Sequence, residues 1–163
     1  SLILSRTIPT YSLRFNLRPF IATSFDCSKL VLEITETGLL KSSDKIRSGM
    51  IKLTQDTGIC FALDDFGVGY SSLSYLAELP VSLVKIDRSF VADYDKHKII
   101  LRSIIALTKA LGIDCLVEGV ETKESLDVLI DKGYKEFQGY YFSKPERMPK
   151  VIKNIKSMTS PCE

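Results

Sequence analysis

Three apolar runs of this sequence end in acidic residues: 31–36 (VLEITE), 61–67 (FALDDFG) and 116–121 (LVEGVE). A buried strand seldom carries a carboxylate, because removing a charge from water is costly unless something pairs with it. Where several strands end in this way, their carboxylates can converge on one point and repel each other unless a cation lies between them. The pattern therefore predicts a divalent metal site at one edge of a sheet.

Short apolar runs alternate with amphipathic helical patterns from Lys29 onward, which predicts a parallel sheet with crossover helices. We expect strands at 30–34, 59–63, 81–86, 113–117 and 137–142. Helices are expected at about 44–57, 71–80, 100–111, 122–132 and 149–158. The expected strand C-termini carry polar residues: Glu33, Asp64, Asp65, Lys85, Asp87, Glu118 and Gln138. Functional groups after every strand favour a closed TIM-like (β/α) barrel over an open doubly wound sheet, which binds ligands at its switch point.

The first 28 residues fit this rhythm less well. Residues 11–17 alternate between apolar and polar, which suggests a half-buried strand, and about ten residues then lead to the next strand. A parallel crossover usually needs a dozen residues or more. We therefore expect residues 1–28 to be an irregular remnant of the barrel front end and residues 29–163 to form a barrel domain that is incomplete at its N-terminal side.

Composition excludes several classes of function. Lys and Arg exceed Asp and Glu by two (22 against 20), so charge gives no argument for a DNA, RNA or membrane partner. No apolar stretch reaches the roughly 18 residues of a membrane span, and the four scattered cysteines suit a reducing cytosol. His97 is the only histidine and lies in a charged run, which argues against Ser/His/Asp and Cys/His catalysis.

Residues 64–73 (DDFGVGYSSL) resemble the metal-binding strand end and mobile loop of EAL domains, a family of bacterial phosphodiesterases that open the cyclic dinucleotide c-di-GMP. The resemblance continues through 33–36 (EITE), 85–90 (KIDRSF), 118–122 (EGVET) and 137–145 (FQGYYFSKP), in order and without gaps from Lys29 to Pro145. One departure stands out. The family's Glu-Ala-Leu motif, which provides a metal ligand, is nowhere in this sequence, so the chain resembles an EAL domain truncated at its front end.

The resemblance implies a role for each matching residue. Two Mg²⁺ or Mn²⁺ ions would hold a water for attack on phosphorus, with Asn16, Glu33 and Asp64 binding one ion and Asp65 the other. Lys85 would position the water or the phosphate, and Glu118 would accept the proton or bind the second metal. The supporting or substrate-binding residues would be Glu36, Asp87, Glu121, Gln138 and Pro145, and the lid-like loop would use Gly67, Gly69, Ser71 and Ser72.

Structural readings of the same residues remain open. Asp64 and Asp65 could be a helix cap and a turn residue, Lys85 could form a structural ion pair, and Gln138 could be a core amide. Glu121 could be a helix N-terminal carboxylate satisfied by the dipole.

Two functions compete at this stage. The first is cytoplasmic hydrolysis of c-di-GMP to linear pGpG in bacterial signalling, impaired by the missing motif. The second is an inactive module that binds c-di-GMP or a partner protein. An unrelated Mg²⁺-dependent barrel hydrolase would keep the acids but not the series of motifs. The resemblance also implies a possible homodimer and an upstream sensory or GGDEF domain.

Overall fold

Parallel strands and helices alternate in a computed structural model of the chain, which describes residues 26–35, 44–67 and 76–145. The strands are β1 (Val31–Thr35), β2 (Cys60–Phe66), β3 (Val81–Ile86), β4 (Asp114–Val117) and β5 (Glu136–Phe137). The helices are α1 (Asp44–Thr57), α2 (Arg88–Ala92), α3 (Tyr94–Leu111) and α4 (Lys123–Asp131), and a 3-10 turn at Cys27–Lys29 precedes β1. None of the helices in these ranges is both long and apolar enough to cross a membrane.

The five described strands form one sheet in sequence order, and each pairs in parallel with the next. Parallel neighbours need crossover connections, and a sequential strand order is the order found in the wall of a (β/α) barrel. The fold is therefore α/β, a partial TIM-like barrel, as the sequence predicted. All strand C-termini lie at one edge of the sheet.

The strand interiors are buried because a parallel sheet is covered on both faces. Ile59, Val84, Ile86 and Val117 are fully buried, and Phe61 is nearly so. Continuous apolar runs, rather than alternating ones, are the sequence signature of such strands. The predicted positions of β1 to β4 agree with the structure to within a few residues.

Glycine and threonine lie at several of the described helix ends. α1 ends at Thr57 before Gly58, and α3 ends before Gly112; both glycines adopt positive φ (74° and 69°). The Gly112 amide donates back into the last turn of α3, as expected for a left-handed helix end. Thr122 caps α4 by accepting a hydrogen bond from the Ser125 amide.

The last predicted strand, 137–142, is wrong in its extent. β5 covers only Glu136–Phe137, and the chain then turns, with the Tyr141 amide donating to the Val120 carbonyl and the Phe142 amide to the Gly139 carbonyl. The apolar run was read as a strand, but its backbone bonds to the loop after β4 instead. The sequence pattern also did not predict α2.

Not every isoleucine of α3 and α4 is buried. On α3 the buried residues are Leu101, Ile104 and Thr108, whereas Ile100 is 46% exposed. On α4 Leu129 is buried and Ile130 is 52% exposed. A threonine can occupy the buried position of α3 because its hydroxyl donates to the Ile105 carbonyl within the same helix.

Several predictions lie outside the described residues. They are the half-buried strand at 11–17, the helix at 149–158 and the first part of the helix at 71–80. The proposed boundary between residues 28 and 29 stays a prediction.

Candidate active site

The ammonium group of Lys85 lies among three carboxylates at the C-terminal edge of the sheet. Its Nζ is 2.8 Å from Glu33 Oε1, 2.9 Å from Asp64 Oδ1 and 2.7 Å from Glu118 Oε1. The Lys85 side chain is only 5% exposed and that of Glu33 only 2%, so these ion pairs are shielded from water. These contacts form a buried ion-pair cluster, and the catalytic role of Lys85 stays a prediction.

The sheet brings these four residues together from four consecutive strands. Glu33 belongs to β1, Asp64 to β2 and Lys85 to β3, and Glu118 directly follows β4. The Glu118 amide donates to the carbonyl of Ile86, which continues the β3–β4 ladder past the end of β4 and fixes the height of this residue. Residues that are distant in sequence meet because parallel strands end at one edge.

Burial and charge shift the proton affinities in this cluster. Burial alone would lower the pKa of Lys85, but its bonds to Glu118, Glu33 and Asp64 outweigh that effect and raise the pKa above its usual value. Lys85 is therefore charged throughout the physiological range. Burial raises the pKa of Glu118 despite the opposing effect of Lys85, and the neighbouring Asp64 and Glu33 raise it further.

The donor set suits a hard divalent cation. Neither carboxylate oxygen of Glu33 accepts a well-directed hydrogen bond from the described residues, although both are buried. Lys85 balances the charge near Oε1, but Oε2 has no such cation nearby. Oxygen ligands of this kind are those that Mg²⁺ and Mn²⁺ prefer. The described residues alone do not arrange three or more Asp, Glu, His or Cys side chains into a group that could hold a metal.

Asp65 has an unusual backbone for a residue at the end of a strand. Its φ is 55°, in the left-handed region that non-glycine residues seldom adopt, and the β2–β3 register is irregular between Leu63 and Phe66. Such conformations cost free energy and cluster at functional sites. Partial burial raises the pKa of Asp65, and the nearby carboxylates of Asp64 and Asp87 raise it further.

Asp87 and Glu121 lie where helices begin. The Asp87 carboxylate accepts a hydrogen bond from the Ser89 amide at 2.9 Å and caps α2. Burial alone would raise the pKa of Asp87, but the hydrogen bonds from Ser89 outweigh it and lower this pKa below its usual value. Glu121 is exposed and directly precedes the Thr122 cap of α4.

Gln138 and Pro145 follow β5. The backbone of Gln138 joins two segments of the site: its amide donates to the Val117 carbonyl, and its carbonyl accepts from the Val120 amide. Gln138 therefore holds the loop that carries Glu118. Pro145 is exposed. Roles of these residues in substrate binding stay predictions.

Gly119, in the loop after β4, and Gly139, in the segment after β5, were not distinguished by the sequence pattern. A Cβ on Gly139 would lie 2.1 Å from the Val120 carbonyl oxygen, and a Cβ on Gly119 would lie 2.3 Å from Arg88 Cβ. Both positions require the absence of a side chain because backbone or neighbouring side-chain atoms approach so closely. The only available signal was that each glycine lies beside a candidate site residue.

Gly67 also lies against another element. A Cβ there would be 2.9 Å from the Phe90 ring of α2, and its φ is 97°. Five other predicted site residues lie outside the described ranges: Asn16, Glu36, Gly69, Ser71 and Ser72.

Comparison with known proteins agrees with the geometry. The family model described as EAL domain matches residues 11–145. The cyclic di-GMP phosphodiesterase RocR of Pseudomonas aeruginosa is 41% identical over 121 residues, which is 72% of this chain and 31% of RocR. The chain spans 17% to 34% of the length of four curated relatives, RocR among them.

Solved structures share the fold. The PaMucR phosphodiesterase in complex with c-di-GMP is 28% identical with a TM-score of 0.81, covering 89% of this chain and 62% of that one. Klebsiella pneumoniae BlrP1, in a manganese and c-di-GMP complex, is 32% identical with a TM-score of 0.72, covering 79% of this chain and 33% of that one. The matched residues include Glu33, Asp64, Lys85 and Glu118, which the sheet brings to one point. The chain belongs to the EAL domain family.

Proposed function

We propose that this chain carries the residues of a metal-dependent phosphodiesterase that hydrolyses c-di-GMP to linear pGpG. The observation that carries the proposal is the buried contact of Lys85 with Glu33, Asp64 and Glu118 at the C-terminal edge of a partial (β/α) barrel. Relatives whose names include cyclic di-GMP phosphodiesterase, and EAL structures with c-di-GMP bound, support it.

Glu33, Asp64 and Asp65, together with Asn16, would hold Mg²⁺ or Mn²⁺. The buried Glu33 Oε2, which has no hydrogen-bond or ion-pair partner among the described residues, and the left-handed backbone of Asp65 support this assignment. A divalent ion bound there would lower the pKa of a water and offset the negative charge of the phosphodiester.

Lys85 and Glu118 would perform the remaining steps. Lys85 stays protonated and hydrogen-bonds the carboxylates, so it keeps them oriented and can donate to a water or a phosphate oxygen. The water oxygen attacks phosphorus while the bond from phosphorus to the ribose O3′ breaks, and the released O3′ takes up a proton from solvent, which gives pGpG. Glu118 accepts the water proton, and its raised pKa makes it a stronger base than an ordinary glutamate.

The 163-residue sequence contains no Glu-Ala-Leu motif, and we propose that this polypeptide alone hydrolyses c-di-GMP slowly. The loss of a metal ligand weakens metal binding and transition-state stabilisation, and each 1.4 kcal/mol costs about tenfold in rate. A c-di-GMP receptor or protein-interaction module is the other function that a weakened site would support.

The proposed substrate is a bacterial second messenger, so the proposed location is the cytoplasm. A preceding sensory or GGDEF domain is proposed because this chain covers only 31% of RocR and 34% of PdeL. A homodimer is proposed from the family resemblance alone.

The test joins the Glu-Ala-Leu strand and its following helix from RocR to the N-terminus and measures pGpG formation with Mn²⁺. We expect the fusion to be at least about 100-fold faster than the 163-residue polypeptide. Glu118→Gln in the fusion should abolish turnover, whereas Glu124→Gln, on the first turn of α4, should leave it unchanged. A folded fusion that binds c-di-GMP without cleaving it would favour the receptor function instead.

A further inference from the structure

A cavity of about 160 Å³ lies at the opposite edge of the sheet from Lys85. Asp114 and Glu136, the first residues of β4 and β5, line it, which places it at the N-terminal edge. The wall also includes the last turns of α3 and the segment between α4 and β5. The catalytic proposal uses none of these residues.

The floor of this cavity is apolar and includes one unsatisfied polar group. Ile105 and Ile113 line it beside Cys115 and Tyr134. Tyr134 is 5% exposed, and its hydroxyl is buried without a hydrogen-bond partner among the described residues. An unpaired buried hydroxyl is destabilising, so a bound group that hydrogen-bonds to it would gain affinity.

Four charged side chains surround the opening. Lys109 and Lys135 are cationic, and Asp114 and Glu136 are anionic. None of the four forms an ion pair with another residue in the described part of the chain. The cavity therefore presents both cationic and anionic side chains, an arrangement that suits a ligand with one positive and one negative group.

Size limits the ligand further. A dry cavity of about 150 Å³ in another protein admits benzene, so this one accommodates a branched aliphatic side chain. The thiol of Cys115 is held protonated by burial, which raises its pKa to about 12, so it is a poor nucleophile and a covalent ligand is not expected.

We propose that this cavity binds a small zwitterion, an α-amino acid with a branched aliphatic side chain. The aliphatic group would occupy the apolar floor, the carboxylate would face Lys109 and Lys135, and the ammonium would face Asp114 and Glu136. Tyr134 would hydrogen-bond to the ligand.

The test titrates the 163-residue chain with L-leucine and follows ¹⁵N–¹H chemical shifts. We expect saturable shifts at residues around the cavity and weaker binding of 4-methylpentanoate and 3-methylbutylamine, each of which lacks one charge. Tyr134→Phe should weaken the binding of L-leucine about fivefold, which is the loss expected for one ordinary hydrogen bond. Lys109→Gln should also weaken it, whereas Lys98→Gln, on α3 but away from the cavity, should not.

Absence of saturable shifts with L-leucine would overturn the proposal, and a cavity filled by water alone would give that result. Equal affinity for L-leucine and the two singly charged analogues would overturn it as well. Tyr134→Phe removes one oxygen that has no hydrogen-bond partner among the residues that the structure describes, so this variant should fold, and circular dichroism would check it. Binding is read directly, so the result is independent of phosphodiesterase activity.

Discussion

Lys85 is the residue on which the charge balance of the site depends. Its single positive charge faces Glu33, Asp64 and Glu118 in a setting that excludes most water. Removing one partner of a buried ion pair leaves an uncompensated charge, whose cost is larger than the net stabilisation by the pair. The same lysine thus serves both the stability of the sheet edge and the proposed chemistry.

Lys85→Met should reduce the free energy of unfolding by about 3–5 kcal/mol at pH 7, because three carboxylates lose their cation. The matched control is Lys123→Met, which breaks a solvent-exposed pair with Asp127 and should leave stability almost unchanged. Urea denaturation measures both. The Lys85→Met deficit should shrink at pH 5, because burial already raises the pKa of Glu118 and this carboxylate takes up a proton more readily without Lys85. Equal costs for the two variants would contradict the prediction.

The loop after β4 fixes the position of Glu118 relative to the ends of the neighbouring strands. Backbone bonds hold it from both sides, to Ile86 on β3 and to Gln138 after β5. Gly139 lies so close to the Val120 backbone that no side chain fits between them. The loop is therefore positioned by main-chain contacts that require glycine.

Gly139→Ala should destabilise the chain and lower the proposed activity, because the Val120 backbone would have to move and Glu118 would move with it. The control is Gly49→Ala in α1, where an added Cβ meets nothing within 4 Å. That substitution should stabilise the helix by about 0.5–1 kcal/mol. The midpoint temperature of thermal unfolding should fall for Gly139→Ala and rise for Gly49→Ala. Changes of the same sign in the two variants would contradict the prediction.

At the scale of the whole molecule, buried groups that must stay protonated connect folding to pH. Burial raises the pKa of Cys115 from 9.0 to about 12, and burial also raises the pKa of Tyr134 above its usual value. Between pH 9 and about pH 12 the unfolded chain releases the Cys115 proton, which the folded chain keeps. The folded state is therefore favoured below about pH 9 and loses this contribution as pH rises.

The stability of the wild-type chain should fall between pH 9 and pH 11 by up to about 1.4 kcal/mol per pH unit for Cys115 alone. Cys115→Ala removes that thiol and should have a shallower decline over the same range. Urea denaturation at each pH measures the two slopes. Parallel slopes would show that the Cys115 thiol does not contribute.

The sequence by itself determined the class of fold and the residues that meet at the site. The apolar runs are continuous rather than alternating, and they end in carboxylates. Both features are typical of a parallel sheet with its functional groups at one edge. Glu33, Asp64, Lys85 and Glu118 were identifiable because charged groups next to buried strands need partners. The contacts with Lys85 confirm that they meet.

Only the tertiary structure decided the features that depend on contacts between distant segments. β5 ends at Phe137 because the following backbone bonds to the loop after β4, and Gly139 is required there by the approach of Val120. The cavity around Tyr134 is formed by segments whose sequence carries no shared motif. A local sequence pattern indicates which side chains of a segment are buried. Its main-chain contacts with distant segments form only when the whole sheet assembles.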